Sequence, residues 1–569
     1  MARQSNIRHL AAAPLLALLV VGVAADPALA RWATFGVPAS LADSNQVLPK
    51  SIPDGAGGVF VVWEDYRNGD ADIFAQHLDP SGAPQWGPNG TQVIVHTGGQ
   101  ESPALAPDGA GGIVVAWQDT RSGVYDIFAQ SLDATGAPRW AAAGVPVCTE
   151  TGAQVLQVAT ADAAGGAIIG WRDSRNGNSD IFAQRVDHGG APLWTADGVA
   201  VCDTIGTQDD VRILGDQLGG AFLLWRDRRK GIFTFDDDIF AQRLDANGVT
   251  QWTRNGVPIA TAAGSQALAA MAPDGRYGFI ATWLDQRGVT GDVYAQRIRP
   301  NGSAAWTADG VLVSGAAGAQ TLPIIATAGN AGAVIAWTDT RNSDRPDVYA
   351  QAVDSLGARQ WTPADGVAVC VTDSTQVAVT IVSDGLGGAV IGWDDDRAGF
   401  REVFGQRVTG SGTIDWAPLG LKIATGAGER SLSNASSDGY GGCVFVWDDF
   451  RNGPTSDIYA NRITSVGTGV AVPAAPAASA RLYPARPNPF NPHTTLSFQL
   501  DRSGPVRLAL FDLHGRLVRV LDQGVRAAGR HDVAWDGRDG HGRACASGVY
   551  FAHLSAGGGR HRTAVTLLR

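Results

Sequence analysis

Asp and Arg recur together at a fixed spacing. A Trp-x-Asp-x-Arg block, followed by an Asp-Ile-Phe-Ala-Gln-like segment, appears eight times. The first three copies supply Asp65 with Arg67, Asp119 with Arg121 and Asp173 with Arg175, each trailed by a second acid, Asp72, Asp126 and Asp180. Two carboxylates beside a guanidinium in a short loop can be read in two ways. One is a set of cation or sugar sites. The other is a hairpin latch in which Arg bridges both acids across a tight turn. The guanidinium neutralises the acids and leaves a metal little to coordinate, which favours the latch, so no metal site and no cofactor are expected. A Gln at 46, 100, 154, 208, 266, 320 and 376 opens another segment of each repeat, with Glu429 read as the eighth member. Hydrogen bonding between repeats is its expected role.

Departures from a repeat are better candidates for function than the repeat itself. The fourth copy has the longest loop, with Arg229, Lys230, Phe233, Phe235 and Asp236. Aromatic side chains flanked by charges suit sugar stacking or a protein contact. The seventh copy departs with Phe400 and Arg401. Catalytic signatures are missing: the repeat region holds three histidines, His77, His96 and His188, at non-equivalent places, with no HExxH and no Cys/His cluster. No GxSxG elbow and no sialidase-type Asp box is present. Carboxylates abound, so a glycosidase or lyase using channel acids stays as the alternative to a binding protein. A purely structural surface or adhesion component is a further alternative.

The elements that position these residues follow from the tryptophans. Trp63, Trp117, Trp171, Trp225, Trp283, Trp337, Trp393 and Trp447 mark one point of the repeat. Trp32, Trp86, Trp140, Trp194, Trp252, Trp306, Trp361 and Trp416 mark a second. Each period holds four short strand patterns and no helical one. In the first repeat these are a segment from Trp32 to Pro38, then 46–52, 58–63 and 72–78. Four antiparallel strands repeated eight times predict an all-β fold, an eight-bladed β-propeller over residues 31–464, with a linear solenoid as the rival. The phase of the repeat predicts closure: the array starts with a lone outer strand at Trp32 and ends on a third strand at 457–461. The N-terminal segment would complete the last sheet and remove its open edge.

Residues 1–30 read as a secretory signal peptide, with Arg3 and Arg8 before an apolar run and Ala28-Leu29-Ala30 as the cleavage pattern. No later stretch could cross a membrane as a helix. Cys148, Cys202 and Cys370 occupy equivalent repeat positions, too far apart for bridging, so no disulfide framework is expected. The formal charge of −11 argues against a nucleic-acid partner. Residues 465–480 form an Ala/Pro/Gly linker, and residues 481–569 carry thirteen Arg against six Asp, so the acidic excess belongs to the repeats.

Short strand patterns with turn signals in 481–569 predict a β-sandwich. Its blocks run in order: Pro487-Asn488-Pro489-Phe490-Asn491-Pro492, then Phe511 to Arg516, Trp535 to Asp539 and Ser547 to Phe551. That order resembles the immunoglobulin-like module of flagellar hook-capping proteins and the C-terminal sorting domains of type IX secretion cargo. The resemblance implies export through a bacterial periplasm to the outer surface, with the secretion machinery as a partner and residues 487–492 as the sorting motif. The ending, Thr563 to Arg569, departs from the short basic tail of such cargo. The repeats themselves resemble those of uncharacterised exported bacterial β-propeller proteins. Together these readings lead to a secreted or surface-tethered monomer whose rim contacts an extracellular protein or glycan.

Overall fold

The computed structural model describes residues 30–231, 236–426, 428–465, 470–471, 480–483, 485–500, 504–511, 517–540, 542–556 and 559–568. The signal-peptide reading, apart from Ala30, and most of the 465–480 linker fall outside them. The chain divides into two compact units, 1–470 and 471–569. Among the described residues no helix is present, and so none that is long and apolar enough to cross a membrane.

The first unit is built from eight four-stranded antiparallel, propeller-like sheets among the described residues. In the first sheet strand A is Gln46–Pro53, strand B Val59–Asp65, strand C Asp72–Leu78 and strand D the short Thr91–Gln92. Strand B is apolar along most of its length because both its faces are covered, and all seven of its residues are buried. Strand A carries a bulge between Val47 and Lys50, with Leu48 at φ 55°. Its freed backbone N–H groups turn to the neighbouring sheet: Ser102 N donates to Glu64 Oε1 at 2.7 Å and Leu156 N to Gln118 Oε1 at 2.7 Å. Five of the bulges thereby staple one sheet to the one before it, the others being at Leu48, Ala378 and Leu432.

The last sheet draws on both ends of the unit. Val37–Ser40 lies antiparallel to Asp457–Ile463, followed by Cys443–Asp449 and Arg430–Ser437. The first and last sheets also touch directly. Leu48 N donates to Asp448 Oδ1 at 3.1 Å, Ser51 Oγ donates to Asn434 Oδ1 at 2.8 Å, and Val59, Val61 and Trp63 share one apolar cluster with Val444, Val446 and Ile458.

The outer strand is shorter than its sequence pattern suggests. It starts at Val37, and Trp32 lies outside it, with its indole Nε1 donating to Pro80 O of the first sheet at 2.9 Å. The same bond recurs from Trp86 to Ala134 O (3.1 Å) and from Trp140 to His188 O (2.9 Å). Gly82 sits under the Trp32 ring at φ +82°, where a Cβ would come within 2.7 Å of it. The second tryptophan of each repeat is thus a fastener between sheets, while the first, with Trp63 fully buried, fills the core.

The second unit pairs a three-stranded sheet (Ala480–Leu482, Thr494–Leu500, Gly529–Trp535) with a four-stranded one (Leu517–Arg526, Gly504–Phe511, Gly548–Ala556, Gly559–Leu567). Phe490, Phe498, Leu508, Trp535 and Leu554 fill the core between them. This is a small β-sandwich, as its strand patterns predict.

Candidate functional site

The hairpin joining strands B and C holds the repeated Asp and Arg. In the second sheet Asp119 ends strand B, and the Arg121 N–H donates back to its Oδ1 at 2.9 Å, closing an Asx-type turn. The Arg121 guanidinium forks onto the same carboxylate, Nε to Oδ1 at 2.7 Å and Nη2 to Oδ2 at 2.6 Å, and Trp117 Nε1 adds a bond of 2.8 Å. Arg121 Nη1 reaches Ala143 O at 2.9 Å, and its guanidinium carbon lies 3.8 Å from the Phe128 ring centre. Equivalent Arg–Asp pairs occur in all eight sheets, with the Asp side chain fully buried in every one.

Two expectations are corrected by this geometry. The Arg does not bridge two carboxylates: Asp72 takes Asn68 Nδ2 at 2.6 Å, and Asp180 takes Asn176 Nδ2 at 2.7 Å and Asn178 Nδ2 at 2.8 Å. The arm of Arg121 left over from the fork, Nη1, is spent on Ala143 O instead of a second acid. Arg229 is likewise not free for a ligand, because it forks onto Asp227, stacks 3.7 Å over Phe240 and donates to Asn255 O at 2.8 Å. In the second sheet the two acids of the hairpin are shifted in opposite directions. Burial alone would raise Asp119, but bonds from Arg121 and Trp117 hold it below the usual carboxylate range. Asp126 is raised, chiefly by burial.

The Gln ring is also corrected at its eighth member. Strand register places Arg430, not Glu429, opposite Asp449, as Gln46 stands opposite Asp65.

In the fourth-repeat loop, Phe233 and Phe235 lie outside the described residues. Lys230 is held by Asp238 at 2.8 Å and Asp236 at 3.2 Å. The seventh repeat is different. Phe400 is 38% exposed, and Arg401, also exposed, donates from Nη1 to Ser431 Oγ at 3.1 Å. Next to Phe400, Gly399 helps line a depression of about 560 Å³ together with Asp396, Arg397, Ser374, Asp373 and Arg345. Hydroxyl, carboxylate and guanidinium groups line it, the Arg397 guanidinium being the one forked onto Asp395, and the exposed Phe400 follows Gly399 in the chain.

A second cavity, about 330 Å³, is lined by strand A of six sheets, with Lys50 and Arg212 as its cations and no carboxylate. Burial lowers the Lys50 pKa, and Arg212 lowers it further while Glu64 opposes. Lys50 and Arg212 occupy equivalent places, opposite Val62 and Leu224, and the other sheets have Ala, Val, Ile, Thr or Asn there. Comparing the repeats position by position would have found both. Among the described residues no cluster of three or more His, Cys, Asp or Glu side chains is arranged to hold a metal. The five cysteines carry free thiols, and burial pushes those of Cys148 and Cys202 up to about 12.

In the second unit the Pro487–Pro492 segment lies along the last strand. Phe490 N donates to Thr566 O, Leu568 N donates to Phe490 O, both at 2.9 Å, and Asn488 exchanges bonds with Ala564 and Thr566. The Phe490 ring is buried 5.1 Å from that of Trp535, while Pro487, Asn488, Pro489, Asn491 and Pro492 are exposed. Residues 488–559 match the FlgD Ig-like domain. The FlgD-like module accounts for the second unit alone. Over the chain, no curated protein matches. Solved structures are similar at low identity. One is a puromycin-hydrolyzing peptidase of Mycobacterium tuberculosis: 11% identity, TM-score 0.40, covering 70% of this chain and 58% of that one. Another is an α-L-arabinofuranosidase of Fusarium graminearum: 10% identity, TM-score 0.31, covering 77% and 98%. PorZ, a surface component of the type-IX secretion system of Porphyromonas gingivalis, gives 10% identity and a TM-score of 0.25, covering 95% and 100%. Within the FlgD-like module, the buried Phe490 gives the Pro-rich segment a packing role that its sequence did not disclose.

Proposed function

We propose that the first unit is a closed eight-bladed propeller acting as an exported, surface-located glycan-binding protein without catalytic activity, carried outward by its FlgD-like module. Closure is supported by the pairing of Val37–Ser40 with the last sheet and by the Trp32–Pro80 bond. The observation that carries the binding reading is the depression beside Phe400. The eight Arg–Asp latches are spent on the fold, but this rim offers an exposed ring for stacking and nearby hydroxyls and charges for sugar hydroxyl groups. Phe400→Ala combined with Arg401→Ala tests it on a glycan array, with a pull-down from surface-protein extract in parallel. Loss of glycan binding by about tenfold, roughly 1.4 kcal/mol, is the expected result. Unchanged glycan binding overturns the site, loss confined to a protein partner overturns the ligand class, and turnover of a bound polysaccharide overturns the non-catalytic reading.

A further inference from the structure

Each sheet junction brings the first residue of strand A against the first acid of strand C in the preceding sheet. Backbone bonds fix this meeting: Gln320 N donates to Gly291 O at 2.8 Å, next to Asp292, and Gln46 N donates to Ser456 O at 2.9 Å, next to Asp457. The Gln320 amide is fully buried, and its Nε2 is spent on Ala316 O (3.1 Å) and Gly318 O (3.0 Å). Its Oε1 has no hydrogen-bond donor, and the same holds for Oε1 of Gln46, Gln100, Gln154, Gln266 and Gln376. An acceptor this deeply buried and unmet costs about 1–3 kcal/mol, so six copies call for a partner.

Two junctions show what that partner meets. At Gln208 the amide end that faces the acid is its NH2 group, which donates to Asp180 Oδ1 and Ser179 O, both at 3.3 Å, so two oxygens converge where strand A faces the acid. In the last sheet Arg430 takes the Gln position and is itself fully buried. Its guanidinium donates to Asp449 Oδ2 (3.1 Å), Gly428 O (3.1 Å), Gly426 O and Thr425 O (both 3.3 Å) and lies 3.8 Å from Glu402 Oε1. Lys422 adds a second cation on Glu402. At the junction of the fourth and fifth sheets Lys230 sits on Asp238, and at that of the third and fourth the Asn178 amide fills the gap. Among the described residues the acids of the remaining junctions form no ion pair with a Lys or Arg, and Arg287 acts on Asp292 only through space.

We propose that the junctions where Gln faces an uncompensated Asp, the one between Asp292 and Gln320 foremost, each bind a hard divalent cation, Ca²⁺, between the Asp carboxylate, the Gln Oε1 and backbone carbonyl oxygens. Carboxylate, amide and backbone carbonyl oxygens are the hard ligands that Ca²⁺ takes, at distances of roughly 2.4 Å. One carboxylate per site places the affinity in the range of weak extracellular sites, about 10⁻⁴ to 10⁻³ M. Burial raises the Asp292 pKa, with Asp285 adding to the rise, as expected of a carboxylate in need of a cation. The role is structural: the ion does between sheets what Arg430 does in the last one.

Terbium luminescence on the full chain tests this, since Trp283 and Tyr294 flank the site and would sensitise a bound lanthanide. Terbium emission that Ca²⁺ displaces, together with a melting temperature that climbs with millimolar Ca²⁺ and falls back in EDTA, is the expected result. Gln320→Arg copies the Arg430 arrangement and should fold, bind one ion fewer and show a smaller calcium-dependent rise in melting temperature. Should it fail to fold, Asp292→Asn decides by the same loss of one site. No terbium emission and no calcium response up to ~10 mM, well above the expected affinity, overturns the proposal. So does binding undiminished in both variants. A melting temperature that ignores Ca²⁺ and rises on acidification from pH 7 to 5 also overturns it, by assigning the gap to a carboxyl proton.

Discussion

Arg121→Ala isolates the worth of one latch. The substitution removes four side-chain contacts at once: both arms of the fork on Asp119, the bond to Ala143 O and the stacking over Phe128. Asp119 stays behind with a fully buried side chain, keeping only Trp117 and the residue-121 N–H as donors. Breaking a buried pair by deleting one partner costs about 3–5 kcal/mol, because the remaining charge has no compensation. Arg121→Lys keeps a charge but cannot fork or stack, and should cost about 2 kcal/mol. Adding Asp119→Asn to Arg121→Ala removes the stranded charge and should return about 2 kcal/mol. Hydrogen exchange read by mass spectrometry suits a repeat protein better than a global melt, because openings are local. Peptides covering 113–132 should exchange about 10³-fold faster in Arg121→Ala, the equivalent of roughly 4 kcal/mol, while those covering 332–353 stay unchanged as a control. The sign of the pH dependence is fixed by Asp119, whose pKa is depressed below the usual 3.8. The latch contributes fully above pH 3.8 and fades as pH falls through the lower folded value, so the deficit of the variant shrinks in acid. A rise in exchange of under about fivefold at neutral pH, or a double variant no better than Arg121→Ala, would refute the latch as an energetic element.

Asp448 offers a prediction of opposite sign. Burial raises its pKa to about 7, against the pull of bonds from Ser433 and Leu48 N, and it staples the last sheet to the first. A raised carboxylate costs the folded state stability as pH climbs from about 4 to 7. Asp448→Asn keeps an acceptor for Leu48 N, so it should raise the melting temperature at pH 8 and leave it unchanged near pH 4; no gain at pH 8 would show that the carboxylate is not buried in charged form. For export, deletion of residues 481–569 should leave the repeat unit folded in the periplasm, as followed by fractionation and immunoblot. Its normal appearance outside the cell would remove the sorting role from the FlgD-like module.

The sheets were legible because each element repeats a signal that local physics enforces. Strand B is apolar over both faces, strand C ends in Asx-type turns, and a Trp spacing of 54 to 58 residues can arise only from a tandem unit. The second tryptophan was misread because its ring packs on a loop about 48 residues onward, a contact that no strand periodicity encodes. The Arg of the latch was matched to two acids because sequence gives spacing but not which oxygen a fork can reach. Arg430 was missed although it precedes Trp447 by the same spacing that separates Gln46 from Trp63; Glu429 is closer to Gln in type but stands one residue out of phase, as strand register confirms. For the binding site, two aromatic candidates lie in 232–235, outside the described residues, while Phe400 and Arg401 were visible as breaks in the pattern.

Repetition itself divides the polar residues into two kinds. A side chain required by the junction between neighbouring sheets must recur wherever that junction recurs, and the Asp–Arg forks, the Trp–carbonyl bonds and the Gln amides all do. Ligand recognition has no such symmetry, because one asymmetric molecule meets one part of the rim. Residues present once are therefore the ones free to answer to a ligand. Phe400 and Arg401, and the Lys50 and Arg212 pair in the strand A cavity, meet that criterion. The two cations are separated by three sheets in sequence yet line one volume of about 330 Å³, with no acid among its lining residues. A cavity so lined favours an anion over a cation. If the glycan at the rim carries carboxylate or sulfate groups, Lys50 and Arg212 would draw its charged end inward, and neutral sugars would gain nothing from them. Binding that weakens steeply with added salt is the signature that separates the two.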